Sequence, residues 1–288
     1  MRQYLDLLEE VLKNGTRQSN RTGIDAISLP GAMLKFDLGE GFPAVTTKKL
    51  AFKSVAAELV GFLRGYDSAA DFRALGSRIW DQNANENPQW LNNPHRKGHD
   101  DLGRIYGVQW RNWRGANGKH VDQVMQALNT IRERPNDRRI IISAWKPDEL
   151  DEMALPPCHI SYQFLVNPER GELHLCMYQR SCDLFLGVPF NIASCALFLS
   201  LVAHLTGYKP GRFTHFLADA HIYVNHLEQV EEQLSRSPHP LPQLEIVERI
   251  PAFDGTHFQP EWIGKVEPGD FRLKNYVFDP ALRAPMAV

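Results

Sequence analysis

Six consecutive residues, Ala154, Leu155, Pro156, Pro157, Cys158 and His159, form the stretch of this 288-residue sequence most suited to chemistry. The two prolines fix φ and push their neighbours toward extended geometry, so the backbone reaches Cys158 stiff and non-helical. From there the residues alternate. Cys158, Ile160, Tyr162, Phe164 and Val166 share one face, with His159, Ser161 and Gln163 on the other, which predicts a strand with a thiol at its mouth. A turn signal at 167–171 separates it from a second such run at 172–182. If the two pair antiparallel about that turn, Cys158 falls opposite Arg180, roughly 5 Å away by Cα. A thiol beside a guanidinium is expected to have a lowered pKa and to act as a nucleophile. An arbitrary cysteine is more often a buried core residue, but the prolines before this one and the arginine beside it favour chemistry.

Other residues are candidates with two readings each. Arg21, in the polar loop 19–23, is either a solvated surface charge or a phosphate clamp. Glu58 sits among the core positions of a helix over 53–65, either snorkelling to solvent or buried with a raised pKa that suits a general acid or base. Arg138 and Arg139 are adjacent on an extended segment and so point to opposite faces. Both touch one ligand only where the strand is irregular, or else one reaches across an oligomer interface. Asn191 opens an apolar helix as a cap or as a reader of a ligand edge. His221 and Tyr223 are hydroxyl-binding candidates or core hydrogen-bonding residues.

The elements that position these groups follow from composition and periodicity. The length suits one domain, 1–288, with no linker, repeat or low-complexity tract to divide it. Lys+Arg 32 against Asp+Glu 34, a formal charge of −2, argues against a polyanion-binding surface spread over the molecule. The cysteines at 158, 176, 182 and 195 show neither metal-ligand nor disulfide spacing, so no metal is expected. Residues 1–6 carry charge and no apolar leader, which sets a cytoplasmic expectation. The apolar run 192–205 is short for a bilayer and reads as a buried core helix. Helices are predicted to end near Asn14, over 53–65 and over 121–132, with strands over 27–38 (a pair or one long bent strand), 140–145 (buried) and 213–218. The segment 219–226 is read as the start of the last long helix, and 79–98 as an irregular lid-like loop.

Taken together the motifs resemble the folate-dependent thymidylate synthase family over essentially the whole length. They are Asn20 to Gly23, Phe42-Pro43 with Thr46, Thr47 and Lys48, Glu58, Ile79-Trp80-Asp81, Tyr106-Gly107 with Gln109-Trp110-Arg111, Asp137-Arg138-Arg139, Leu155 to His159, Tyr178 to Ser181, Gly187 to Ser194, and Asp219 to Tyr223. The resemblance implies an α/β (α+β) fold, a large mixed, mainly antiparallel sheet with helices on one face and a twin packed on the other. It implies reductive methylation of dUMP to dTMP with 5,10-methylenetetrahydrofolate as one-carbon and hydride donor. A pyrimidine hydroxymethylase of the same fold and a non-catalytic nucleotide- or RNA-binding relative are the rival readings. It also assigns roles. Cys158 is the nucleophile, Glu58 organises proton transfers, Tyr106 and His159 border the ring, and Asn191 reads the uracil edge. Arg21, Arg180 and Ser181 hold the phosphate with Arg138 and Arg139 of a second subunit, and His221 and Tyr223 take the ribose hydroxyl. Ile79, Trp80, Asn83, Leu155, Leu186, Gly187 and Phe190 surround the folate, Asp183 meets its pterin beside the nucleotide, and Ala287 and Val288 close the lid. Ala51, Arg104, Cys195 and Ala218 depart from the residues usual in the family.

Overall fold

A six-stranded sheet organises the chain, in a computed structural model that describes residues 1–286. The strands are β1 (Thr16–Gln18), β2 (Ala26–Asp37), β3 (Trp113–Arg114), β4 (His120–Val121), β5 (Ile141–Ser143), β6 (His159–Asn167), β7 (Glu172–Asp183), β8 (Lys209–Tyr223), β9 (Gln243–Ile246) and β10 (Phe271–Lys274). The helices are α1 (Arg2–Asn14), α2 (Phe52–Arg64), α3 (Ala69–Ala74), α4 (Asp81–Asn85), α5 (Pro88–Leu91), α6 (Tyr106–Arg111), α7 (Gln123–Glu133), α8 (Gly187–Thr206) and α9 (Leu227–Leu234). The main sheet runs β1-β2-β8-β7-β6-β5. Its neighbours pair antiparallel except β7 and β8, which are parallel. A parallel pair needs a crossover, and α8 supplies it, packing on both strands it connects. The expected mixed, mainly antiparallel sheet is what the chain forms.

The two faces of the sheet differ in kind. The inner face is dry. Phe164, Leu175, Met177 and Phe213 are fully buried there, and α8 is buried along most of its length. By length and composition α8 would also cross a membrane, since it runs 20 residues rather than the 14 read from the sequence, and 83% of its apolar window is covered by the fold. The outer face is open. Met33 pairs with Phe216, Phe216 with Tyr178, and Tyr178 with Ser161, so one row crosses four strands. Its large members are 40–49% exposed, and Ile141 on the edge strand is 46% exposed.

Four local readings are corrected. The strand at 140–145 is buried on one face only: it is a three-residue edge with Ile142 in the core and Ile141 facing out. Residues 79–98 are not irregular: α4 and α5 order them, and Trp90, 1% exposed, donates its indole N–H to the Asp101 carbonyl at 2.7 Å. Residues 219–223 continue β8 instead of starting a helix, because each finds a ladder partner on β2. On β6 a bulge at Ile160 breaks the alternation: His159 pairs with Gln179 and Ser161 with Tyr178, leaving Ile160 as the extra residue. His159 thereby turns to the core side with Tyr162, whose hydroxyl lies 3.0 Å from its Nδ1. The long strand at 27–38 is a single one, β2, bent at Gly31, whose φ of +76° few side chains adopt.

Candidate active site

Cys158 lies just before β6, and Arg180 stands opposite it, as the turn signal predicted. The Arg180 backbone N–H donates to the Cys158 carbonyl at 2.9 Å. The two prolines have a second use. Their carbonyls accept from the Arg180 side chain, Pro157 from Nε at 2.8 Å and Pro156 from Nη2 at 2.9 Å, which fixes the guanidinium, and among the described residues Nη1 has no hydrogen-bond acceptor. Trp145 lies under the same guanidinium at 5.3 Å. The expected lowering of the thiol pKa is corrected. Burial pushes Cys158 up, and the pull of Arg180, of the Tyr106 hydroxyl and of Arg21 in the other direction does not overcome it.

Tyr106 reaches the thiol's backbone from the first residue of α6, its hydroxyl oxygen accepting the Cys158 N–H at 2.6 Å. That helix is positioned by close packing. Gly107 lies directly on the Phe62 backbone of α2, where a Cβ would come within 2.5 Å, and the Tyr106 ring stacks on Phe62 with centroids 5.0 Å apart. Arg104 anchors the start of α6 to the segment leading toward Cys158 through a buried ion pair with Glu149, which also accepts from Gln109 at 2.7 Å.

Glu58 points from α2 into this cluster and is buried, not snorkelling. Its carboxylate accepts from the Trp80 indole at 3.2 Å, and burial pushes its pKa up to about 8 against that hydrogen bond. At neutral pH it therefore holds a proton. Trp80 meets the Tyr106 ring edge-on at 5.8 Å, and Tyr106 meets His159 at 5.4 Å. Burial lowers the His159 pKa to about 4, so its ring is neutral.

Asn191 is the fifth residue of α8, not its cap: the helix starts at Gly187, tolerating Pro189 in its first turn. Its Oδ1 accepts from Gln179 Nε2 at 3.0 Å. The turn into α8 is tied by Asp183, whose Oδ1 accepts the N–H groups of Phe185 (3.0 Å) and Leu186 (3.2 Å). Beside β7, Ser181 is in register with Asp219 and Asp183 with His221. Asp219 holds the Ser28 hydroxyl and lies 3.6 Å from His221 Nδ1. Burial works to lower the His221 pKa, but the carboxylate prevails and raises it. Tyr223 meets the His221 ring edge-on at 5.1 Å.

The structure thus gathers Glu58, Trp80, Tyr106, Cys158, His159, Arg180, Ser181, Asp183, Asn191, His221 and Tyr223 at one end of β6, β7 and β8. Exposed Arg21 acts on it through charge, felt at Cys158 and Tyr223. Leu155, Ile79 and Leu186, in the segments leading toward β6, α4 and α8, and Phe190 in the first turn of α8 are half-buried apolar groups. Among the described residues nothing joins Asn83, Arg138 or Arg139 to the cluster. Arg138 and Arg139 are exposed after α7, with Arg139 doubly paired to Asp137 at 2.9 Å. Ala287 and Val288 lie outside the described residues. Three residues were given no role from the sequence, although Lys48 and Gln179 stand within its motifs. Gln179 was legible as a strand and motif position and Tyr162 as an alternating strand position, with nothing to mark their hydrogen-bond partners. Lys48 donates to the Phe185 carbonyl at 2.6 Å over the Phe185 ring, with burial lowering its pKa to about 7.

Residues 2–288 match the sequence model of a family described as thymidylate synthase. The chain is 50% identical to the thymidylate synthase of Pseudomonas syringae pv. tomato, and 52% identical to those of Bordetella parapertussis and Pseudomonas putida. Each alignment covers 100% of both chains.

Proposed function

The chain belongs to the thymidylate synthase family, and from that membership we propose how its residues carry out the reductive methylation of dUMP to dTMP. Cys158 Sγ adds to C6 of the uracil ring, placing electron density on C5 and O4 so that an otherwise unreactive carbon becomes nucleophilic. Bound 5,10-methylenetetrahydrofolate supplies the one-carbon unit and the hydride and leaves as dihydrofolate. Tyr106 holds the Cys158 backbone still during the addition, and neutral Glu58 has a proton to give near O4 and C5. Asn191 presents a donor and an acceptor to O4 and N3. Arg180, held through Nε and Nη2, turns its Nη1 to the phosphate with Ser181 and Arg21, while His221 and Tyr223 take the ribose hydroxyl.

The half-buried Leu155, Ile79, Leu186 and Phe190, with the Trp80 indole and the second oxygen of Asp183, have the character a flat heteroaromatic co-substrate needs. Asn83 and Gly187 complete that wall in this reading, and Ala287 and Val288 close it. The open row of Met33, Phe216 and Tyr178 supports a homodimer through the outer sheet face. Arg138 and Arg139, exposed and away from their own site, then serve the neighbour's. Four unpaired cysteines suit a reducing, cytoplasmic setting.

The observation that carries this reading is the fixed pairing of Cys158 with Arg180 and Tyr106, beside an Asn191 amide already oriented. Mixing the protein with dUMP and methylenetetrahydrofolate should raise the absorbance of dihydrofolate, and Cys158→Ala should abolish that while still binding dUMP. A hydroxymethyl product with tetrahydrofolate retained would defeat the reading.

A further inference from the structure

Asn191 distinguishes uracil from cytosine only if its amide faces the right way, and an amide looks nearly the same either way round. The buried contacts behind it decide the orientation. Gln179, 2% exposed, donates from Nε2 both to the Ser181 backbone carbonyl at 2.9 Å and to Asn191 Oδ1 at 3.0 Å. A backbone carbonyl only accepts, so the Gln179 atom facing Ser181 must be the nitrogen and the opposite atom the oxygen. That oxygen lies 2.8 Å from Nε2 of His215, a fully buried residue of β8. His215 must therefore carry its proton on Nε2. Its Nδ1 is then a bare lone pair, and among the described residues it has no hydrogen-bond partner. Burial lowers the His215 pKa to about 3, which keeps the ring neutral, and Phe213 stacks on it at 5.6 Å.

We infer that His215 is a specificity-determining positioning residue. Its Nε2–H locks the Gln179 amide, and through it the Asn191 amide, in the orientation that accepts uracil and refuses cytosine. With both Gln179 hydrogens committed, the Asn191 atom toward Gln179 is oxygen, and Nδ2 is directed elsewhere. The second lone pair of Oδ1 and the Nδ2 hydrogens are then an acceptor and a donor matching N3–H and O4 of uracil. Cytosine offers an acceptor at N3 and a donor at N4, so it meets like against like. The Asn191 amide also acts on His159, raising its pKa against burial, but an imidazole nitrogen suits either amide orientation by changing tautomer, so it does not choose between them. Without the His215 donor, Gln179 Oε1 is a buried acceptor with no partner. Its amide is then drawn out of place and Asn191 is free to turn. This inference rests on dUMP being the substrate.

The test is equilibrium binding of dUMP and of dCMP to the wild type, His215→Phe and His215→Gln. Phenylalanine keeps the stack and loses the donor, whereas glutamine restores an N–H. The ratio of the dCMP to the dUMP dissociation constant should fall about tenfold in the Phe variant and recover in the Gln variant. An unchanged ratio, or equal weakening of both nucleotides, would overturn the lock. If His215→Phe does not fold, 15N NMR of the wild type decides: a proton on Nε2 with no titration between pH 5 and 8 supports the lock, and one on Nδ1 ends it. A wild type that binds dUMP but makes no dihydrofolate would count against the proposed reaction and leave the ratio to be judged by itself.

Discussion

Glu58 keeps its proton at a pH where an exposed glutamate would have lost it, and stability should register the difference. Its pKa is about 8 in the fold against about 4.5 when free, so between those values the folded chain binds more protons than the unfolded one. Stability falls as pH rises through that window, and the contribution vanishes below it, where both states are protonated. Glu58→Gln should therefore raise the melting temperature at pH 8 and leave it nearly unchanged at pH 4.5, with a gain on the order of 1–4 kcal/mol at the alkaline end. Turnover should fall sharply in the same variant, which identical melting shifts at both pH values and normal rates would contradict. For Cys158, burial outweighs its cations, so alkylation of the ligand-free enzyme by iodoacetamide should have its midpoint on the alkaline side of a free thiol. Arg180→Gln should move that midpoint further up. A midpoint near neutrality in the wild type would show that the guanidinium wins after all.

The elements holding these groups were partly legible. The Cys158–Arg180 pairing could be read because a turn at 167–171 sets the register of both flanking strands. The bulge at Ile160 could not, since one extra residue leaves no mark on composition, yet it turns His159 inward. Asn191 was placed too near the helix start because Gly187 and Pro189 look like loop residues, although proline is tolerated in a first helical turn. The end of β8 was misread because Asp219 resembles a helix cap and Ala220 a helix former, while its ladder with β2 joins residues distant in sequence. The crossing of α2 and α6 was likewise invisible until packed. Gly107→Ala should push α6 off the Phe62 backbone, lower stability by roughly 1–3 kcal/mol, and reduce kcat more than it weakens dUMP binding, because Tyr106 moves with the helix. Thermal melts with steady-state kinetics would check it, and an unshifted melting temperature would mean the contact relaxes freely.

At the scale of the whole molecule, the exposed row of Met33, Tyr178 and Phe216 and the stranded Arg138 and Arg139 are two halves of one expectation. Phe216→Glu should give a monomer by sedimentation and remove activity, though Phe216 lies outside the catalytic cluster. Mixing inactive Cys158→Ala with an inactive Arg138→Ala, Arg139→Ala chain should restore part of the activity, because a hybrid has one site with every group intact. No recovery would confine each site to a single chain. The burial of α8 bears on how such a molecule is made. That helix has no polar side on which to wait, and β8, one of the strands that covers it, is synthesised after it and must insert between β2 and β7. A chain emerging from the ribosome as far as Thr206 presents a greasy rod and a sheet with its middle missing. Productive synthesis therefore depends on the next seventeen residues arriving before some other apolar surface does, and slow translation over 207–223 is where this protein is most exposed to loss.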